Sequence, residues 1–164
     1  MQRKAFVMRK ILALVAAAPL AFSAAEAAMT ARQVVEKEVV ATAPNGEETV
    51  RRVPADKVTP GETVVYSIRY ENDGAAPAAD IVLVMPVPKE VAYVEGSVGG
   101  EDTASVSFSA DGGETYVARG RLTIVEGGET RPARGDEITH IKWTLTAPVP
   151  AKTGGEVSYK AVLR

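Results

Sequence analysis

Apolar and polar residues alternate along three segments of this chain with the period of two that a β-strand with one buried face requires. The segments are residues 64–71, 140–146 and 157–164. Their apolar members are Val64, Tyr66, Ile68 and Tyr70, then Ile141, Trp143 and Leu145, then Val157, Tyr159, Ala161 and Leu163. Each segment therefore predicts a strand, with Tyr66 and Trp143 as large core side chains from opposite halves of the chain.

Shorter runs predict further strands at residues 49–53, 80–84, 91–94, 105–109, 115–117 and 121–125. Residues 81–84 are apolar on both faces, which predicts a central strand covered on each side. Residues 31–40 carry charges that favour a helix, but their valines suit an edge strand. We predict a strand there because the chain on either side has a β pattern.

Glycine, proline, asparagine and aspartate separate these runs about every ten residues, and no long helical pattern appears. At Asn72-Asp73-Gly74 we expect the Asn72 side chain to bond nearby backbone and Gly74 to adopt a positive φ. This punctuation predicts an all-β protein built as an antiparallel β-sandwich of about 7 to 9 strands.

The N-terminus has the layout of a secretory signal peptide, with positive charges before a short apolar run. The charges are Arg3, Lys4, Arg9 and Lys10, and the run covers residues 11–22. It is shorter than the roughly 20 residues of a membrane-spanning helix. Ala25-Glu26-Ala27 supplies small residues for cleavage before Ala28. We therefore expect a protein exported to the periplasm or the extracellular space, with residues 1–27 removed.

Two details of this leader stay open. Cleavage after Ala25 is the nearest alternative, and Met8 begins a complete signal by itself. Neither a start at Met1 nor one at Met8 changes the mature protein.

Composition narrows the function classes further. The chain has no cysteine, which predicts an exported domain without disulfides and without a lipid-anchored N-terminus. Of its 19 basic and 21 acidic residues, four basic and one acidic lie in the leader, so residues 28–164 carry a formal charge of −5. That balance disfavours nucleic acid as a partner. No second apolar segment follows, so we expect no membrane span in the mature protein.

From residue 60 onward the order of residues resembles the bacterial conserved-repeat surface domain of unknown function. The matching pieces are residues 61–68, 71–83 and 91–97, with Pro88, Trp143 and residues 155–159. The resemblance implies an immunoglobulin-like sandwich over residues 60–164. We expect residues 28–59 to form an N-terminal strand region packed on or extending it. The resemblance also implies a structural or adhesive role outside the cell. Two departures are the missing aspartate at residues 84–88 and the single copy.

Candidate chemistry is sparse. Residues 109–116 match a Ser-x-Asp-x-Gly-x-Thr-aromatic hairpin, in which the aspartate caps a turn and the aromatic packs beneath it. His140 is the only histidine and is expected on an exposed polar face, without partners for a transition metal. Acidic pairs, which are Glu71 and Asp73, Glu101 and Asp102, Asp111 and Glu114, and Asp136 and Glu137, predict solvated loops, with calcium binding as the alternative. We predict no enzyme, no catalytic or cofactor-binding residue and no metal ligand.

The remaining hypothesis is a non-enzymatic structural or protein-interaction module of the cell envelope or extracellular matrix. Its expected partner is another envelope or extracellular protein, or a second copy of the chain. One alternative is a small carbohydrate-binding module that presents Tyr93 and Tyr116 to a glycan. Another is a subunit of an extracellular polymer whose residues 31–42 add as a strand to a neighbour's open edge.

Overall fold

The computed structural model describes residues 28–164, and the predicted signal peptide lies outside the described residues. This part of the chain forms ten β-strands and two single-turn 3₁₀ helices, Arg119–Arg121 and Gly135–Glu137. The strands are β1 (Met29–Thr42), β2 (Glu48–Pro54), β3 (Thr63–Asn72), β4 (Val82–Pro86), β5 (Val91–Tyr93), β6 (Ala104–Ser109), β7 (Thr123–Glu126), β8 (Glu129–Pro132), β9 (His140–Leu145) and β10 (Gly154–Leu163). No helix within it has the length and hydrophobicity needed to cross a membrane.

The strands form two main sheets in which every pairing is antiparallel. The larger sheet has the strand order β2-β1-β3-β10-β5, and the smaller has the order β4-β9-β6. Strands β7 and β8 form a separate two-stranded ribbon. The all-β prediction is thus confirmed, with strands on both sides of a shared core.

The core is built on large side chains from both sheets. Trp143 of β9 and Tyr159 of β10 are fully buried. Each finds a partner for its polar atom, as a buried Trp or Tyr requires: the Trp143 Nε1 donates to the Gly99 carbonyl at 3.0 Å, and the Tyr159 hydroxyl donates to the Pro86 carbonyl at 3.0 Å. Tyr66 stacks on Tyr159 with ring centroids 5.1 Å apart. Tyr66 and Trp143 therefore belong to opposite layers of one core, as predicted.

The segment at residues 31–40 is a strand, as predicted. It forms most of β1, which pairs with β3 from Met29 opposite Asn72 to Lys37 opposite Val64. The second half of β1 also pairs with β2. The helix-favouring charges do not prevail because β1 is paired along its whole length, with β3 up to Lys37 and with β2 from Glu36 onward.

The prediction for residues 81–84 is wrong, because β4 is an edge strand. In the smaller sheet β9 occupies the centre and β4 pairs with β9 alone. Leu83 is buried, whereas Val82 is 52% exposed and Val84 is 44% exposed. The run is apolar on both faces, yet only one face meets the core.

Two smaller expectations also differ. Residues 115–117 form a single bridge, between Val117 and Phe108, in place of a strand. Strand β8 was not predicted because its Glu-Thr-Arg-Pro sequence lacks apolar alternation; its partner β7 supplies the pairing. The two main sheets contain eight strands, within the predicted 7 to 9, and the separate β7–β8 ribbon brings the count to ten.

Asn72 ends β3 and holds three segments together from a fully buried position. Its Oδ1 accepts the Gly74 N–H at 3.0 Å, which is the predicted turn bond. Its Nδ2 donates to the carbonyls of Ala76 at 2.8 Å and Val149 at 3.0 Å. Gly74 does not adopt the expected positive φ. The side chain of Asn72 therefore closes this turn without a left-handed residue at position 74.

We predict that Asn72→Ala lowers the free energy of unfolding by about 3 kcal/mol, because it leaves several buried polar groups without partners. Asn45 forms the same kind of turn bond, to the Glu47 N–H, in an exposed loop. Asn45→Ala should therefore cost less than about 0.5 kcal/mol. Urea unfolding followed by Trp143 fluorescence measures both, and equal losses would contradict the assigned role.

Candidate protein-interaction surface

The Ser109–Tyr116 hairpin has the structural role predicted for it. The Asp111 carboxylate accepts the Thr115 N–H at 3.0 Å and the Glu114 N–H at 3.1 Å. The Ser109 hydroxyl donates to it at 2.6 Å. Hydrogen bonds from Ser109 and Thr115 hold the pKa of Asp111 well below its ordinary value. The carboxylate is thus fully used in closing the turn.

The lowered pKa of Asp111 predicts acid sensitivity of this hairpin. A carboxyl with a depressed pKa in the folded state stabilises above its unfolded pKa, near 3.9, and that contribution is lost as the pH falls further. We expect the protection factors of the Glu114 and Thr115 amides, which are exchange rates corrected for the intrinsic effect of pH, to fall below about pH 4. Asp111→Asn should show the lower protection factors already at neutral pH. Protection factors that are equal in the two proteins at neutral pH would contradict this account.

His140 is half-buried, so the prediction of an exposed residue is wrong. The backbone of Gly113 packs against its ring, and an added Cβ on Gly113 would lie 3.5 Å from it. Its Nδ1 is buried and has no hydrogen-bond partner within residues 28–164. The hairpin folds over the polar face of β9, which covers a position that alternation alone places in solvent.

The acidic pairs do not converge. Within the described residues, no group of three or more histidine and carboxylate side chains is placed to hold a metal ion. Glu137 is bound by the Arg131 guanidinium at 2.6 Å and by the Arg134 N–H at 2.7 Å. These bonds lower the pKa of Glu137 to about 2. The Glu137 carboxylate is therefore neutralised locally by Arg131 and Arg134.

The two tyrosines named for glycan binding are not presented as platforms. Tyr93 is only 6% exposed and packs edge-on against Phe108. Tyr116 is half-buried, and the Lys142 Nζ lies 4.2 Å from the centre of its ring. A sugar stacking on Tyr116 would have to displace this cation.

The outer face of the larger sheet is closed by its own ion pairs. Arg69 binds Glu156 at 2.7 Å and Glu36 at 3.2 Å, and Lys160 binds Glu38 at 2.8 Å. Burial alone would raise the pKa of Glu156, but its bonds to Arg69 and Arg52 outweigh burial and hold that pKa below its ordinary value. Beneath these side chains Val65 and Ser67 are fully buried. Over β3 and β10 this face is therefore covered without a partner. At its β1–β2 end, the paired Val40 and Val50 are 63% and 64% exposed.

The two sheets differ in width, and the difference leaves one flank uncovered. Tyr93 of β5 contacts Phe108 of β6, so these two edges lie over one another. Trp143 of β9 reaches Gly99, which bridges to Ser158 of β10. Strand β4 lies on the far side of β9 and therefore faces β3. No strand of residues 28–164 is left to cover β1 and β2.

The exposed side chains follow from this arrangement. Val35 pairs with Tyr66 and so points to the core side of the larger sheet, yet it is 38% exposed. Gln33 and Ala31 lie on the same face of β1 and are also exposed. We call these three residues, together with Val82 and Val84 on the free edge of β4, the open flank.

The open flank carries unpaired backbone as well as apolar side chains. Two hydrogen bonds flank β4. The Ile81 carbonyl accepts the Leu145 N–H at 3.0 Å, and the Val87 N–H donates to the Thr139 carbonyl at 2.8 Å. Because such bonds alternate along an antiparallel pair, Val82 and Val84 direct their N–H and C=O groups away from β9. Among the described strands, none lies beyond this edge.

Charge distinguishes this edge from that of β2. The edge strand β2 contains Glu48, Arg51 and Arg52, which discourage pairing with another chain. Strand β4, with the sequence Val-Leu-Val-Met-Pro, has no charge, and only Pro86 at its end lacks a donor. The open flank is therefore the less protected of the two edges.

A groove of about 510 Å³ also runs across the larger sheet beside the first half of β1. Its walls carry both signs of charge, from Arg32, Arg69, Glu71 and Glu156, and Gly154 leaves it shallow. Mixed charge gives it no preference for an ionic ligand. The alternation pattern contained the exposed valines of the open flank, but nothing in it marked β4 as an edge.

Comparison of the chain with protein-family models, with curated proteins and with solved structures finds no match.

Adjacent positions on β4 provide a test of its edge position. Val84→Thr should change the free energy of unfolding by less than about 0.5 kcal/mol, because the side chain faces solvent. Leu83→Thr should cost about 2–3 kcal/mol, because it places a hydroxyl in the core and removes apolar volume. Urea unfolding decides the matter, and a large loss for Val84→Thr would show that this face is covered.

Proposed function

We propose that this protein is an exported, non-enzymatic module of the cell envelope or extracellular matrix that binds another protein through the open flank. The observation that carries the proposal is the mismatch between a five-stranded and a three-stranded sheet. It leaves β4 as an uncharged edge whose Val82 and Val84 side chains face solvent, and it leaves Val35 exposed on the core-side face of β1. Exposed apolar side chains of this kind are typical of protein-interaction sites.

The sequence supports the location and the class. Residues 1–27 have the features of a cleavable secretory signal, and the absence of cysteine suits an exported domain that relies on its core alone. The resemblance from residue 60 onward favours an immunoglobulin-like sandwich with a structural or adhesive role. Two antiparallel sheets around Trp143 and Tyr159 are compatible with that architecture.

The structure gives less support to the two alternatives. A glycan platform at Tyr93 conflicts with the burial of that ring. Strand exchange by residues 31–42 requires β1 to leave its own sheet, where it pairs with β3 and with β2. Binding through an edge that is already open needs neither change.

In-situ photo-crosslinking tests the proposal. A photo-reactive amino acid placed at Val84, or at Val35, should give a crosslink to one envelope or extracellular protein that mass spectrometry identifies. The matched control is Val125, a valine that is 72% exposed on the β7–β8 ribbon. It should give no such product.

Binding of the identified protein in purified form then completes the test. We expect Val84→Lys to weaken this binding at least about tenfold, because a charge on an apolar edge opposes strand and side-chain contact. Val125→Lys should leave it within about twofold. Equal crosslinking at all three positions, or none at any, would reject the open flank as the binding surface.

A further inference from the structure

Resting on the proposed function, we infer that the open flank receives an extended, uncharged segment of the partner, which pairs with β4 as a fourth strand of the smaller sheet. The inference concerns the mode of binding and the chemistry of the segment. Both follow from the backbone of β4 and from what lies beneath the vacant strand position.

The backbone of β4 provides the pairing groups. Val82 and Val84 each direct one N–H and one C=O away from β9, since the bonds to β9 fall on the odd-numbered residues. Pro86 has no N–H, and its carbonyl already accepts the Tyr159 hydroxyl at 3.0 Å. Pairing is therefore limited to about four residues of the partner segment, centred on Leu83.

The layer beneath selects a single strand over a folded domain. A strand beside β4 would lie about 10 Å above β1, which is the usual spacing of packed sheets. The end of β4 is fixed at this level, because Pro86 contacts Tyr159, and Tyr159, Tyr66 and Val35 are neighbours across three strands. A second folded copy that paired through its own β4 would bring its larger sheet into the space of β1. The space above β1 therefore admits a single added strand but not a second folded domain.

Side chains of the flank define the chemistry of the segment. Those of its residues that point inward would meet Ala31, Gln33 and Val35, which are small, uncharged or aliphatic. Those that point outward would lie beside Val82 and Val84. No charged side chain occupies either set of positions, so a charged residue would be desolvated without a partner. The fitting segment alternates β-branched apolar residues with small polar ones and has no proline at the pairing positions.

The other edges are less available. Strand β6 is bridged by Val117 at Phe108, and the outer edge of β10 beyond β5 is bridged by Gly99 at Ser158. Strand β2 carries the protective charges described above. Strand β5, the other edge of the larger sheet, is also uncharged, but Gly135 packs directly against its Tyr93 carbonyl. Strand β4 combines an unbridged backbone with an uncharged sequence.

Amide hydrogen exchange of the purified, isotopically labelled protein tests the inference. The probe is a capped eight-residue peptide that alternates valine and threonine between terminal lysines added for solubility. Saturating peptide should slow exchange of the Val82 and Val84 amides at least about tenfold, because strand addition pairs both N–H groups. The same peptide with alternate amides N-methylated on its pairing edge should give no protection.

Two variants separate backbone pairing from side-chain contact. Val84→Pro removes one outward N–H at a position where an edge strand tolerates proline, and should weaken peptide binding about five- to tenfold. Val84→Thr keeps the N–H and should bind within about twofold. If Val84→Pro does not fold, the N-methylated peptide provides the same comparison.

Each other outcome overturns the inference. Absence of binding, protection confined to Ala31 and Gln33, or self-association of the protein through β4 would each exclude a partner segment beside β4. If crosslinking from position 84 succeeds while Val82 and Val84 stay unprotected, protein binding stands and strand addition fails. If both experiments fail, the proposed function fails as well.

Discussion

The three-stranded sheet is too narrow to cover the five-stranded sheet, and most features of this domain follow from that difference in width. The smaller sheet closes the core over β3, β10 and β5, where Trp143 and Tyr159 are fully buried. Strands β1 and β2 extend the larger sheet beyond this cover. Apart from Met29, which packs against the core, their stability comes from pairing with β3 and with each other.

The two faces of the larger sheet differ in how their side chains are shielded from water. On the outer face, long charged side chains cross between strands and cover Val65 and Ser67. Exposed ion pairs of this kind contribute little to stability, but their aliphatic stems exclude water from the residues beneath. On the core-side face of β1 no such cover forms, and Val35 stays exposed. The core-side face of β1 is therefore open to a partner segment that pairs with β4.

The distribution of aromatic side chains also bears on function. Tyr66, Tyr93 and Tyr159 form a chain of ring contacts within the core, at 5.1 and 6.3 Å between centroids. In a protein with few aromatic residues, this leaves little for an exposed sugar-binding platform. The surface that remains unfilled is aliphatic and lies along a strand edge, and this combination favours a polypeptide ligand over a glycan.

The local pattern of apolar and polar residues determined several strands and one turn of this protein. Alternation with period two determined β3, β9 and β10, because side chains of a strand point to opposite faces wherever the strand lies. The sequence also predicted the Asp111 turn, since the bonds of the Asp111 carboxylate all fall within residues 109–115.

The sequence did not predict the order of strands, because that order depends on contacts between residues far apart in the chain. Residues 81–84 show this: an apolar run is the same in a central strand and at an edge, and only the tertiary structure decided that β4 has one neighbour. Burial of His140 and Tyr93 was decided in the same way, by segments that fold over them from elsewhere in the chain.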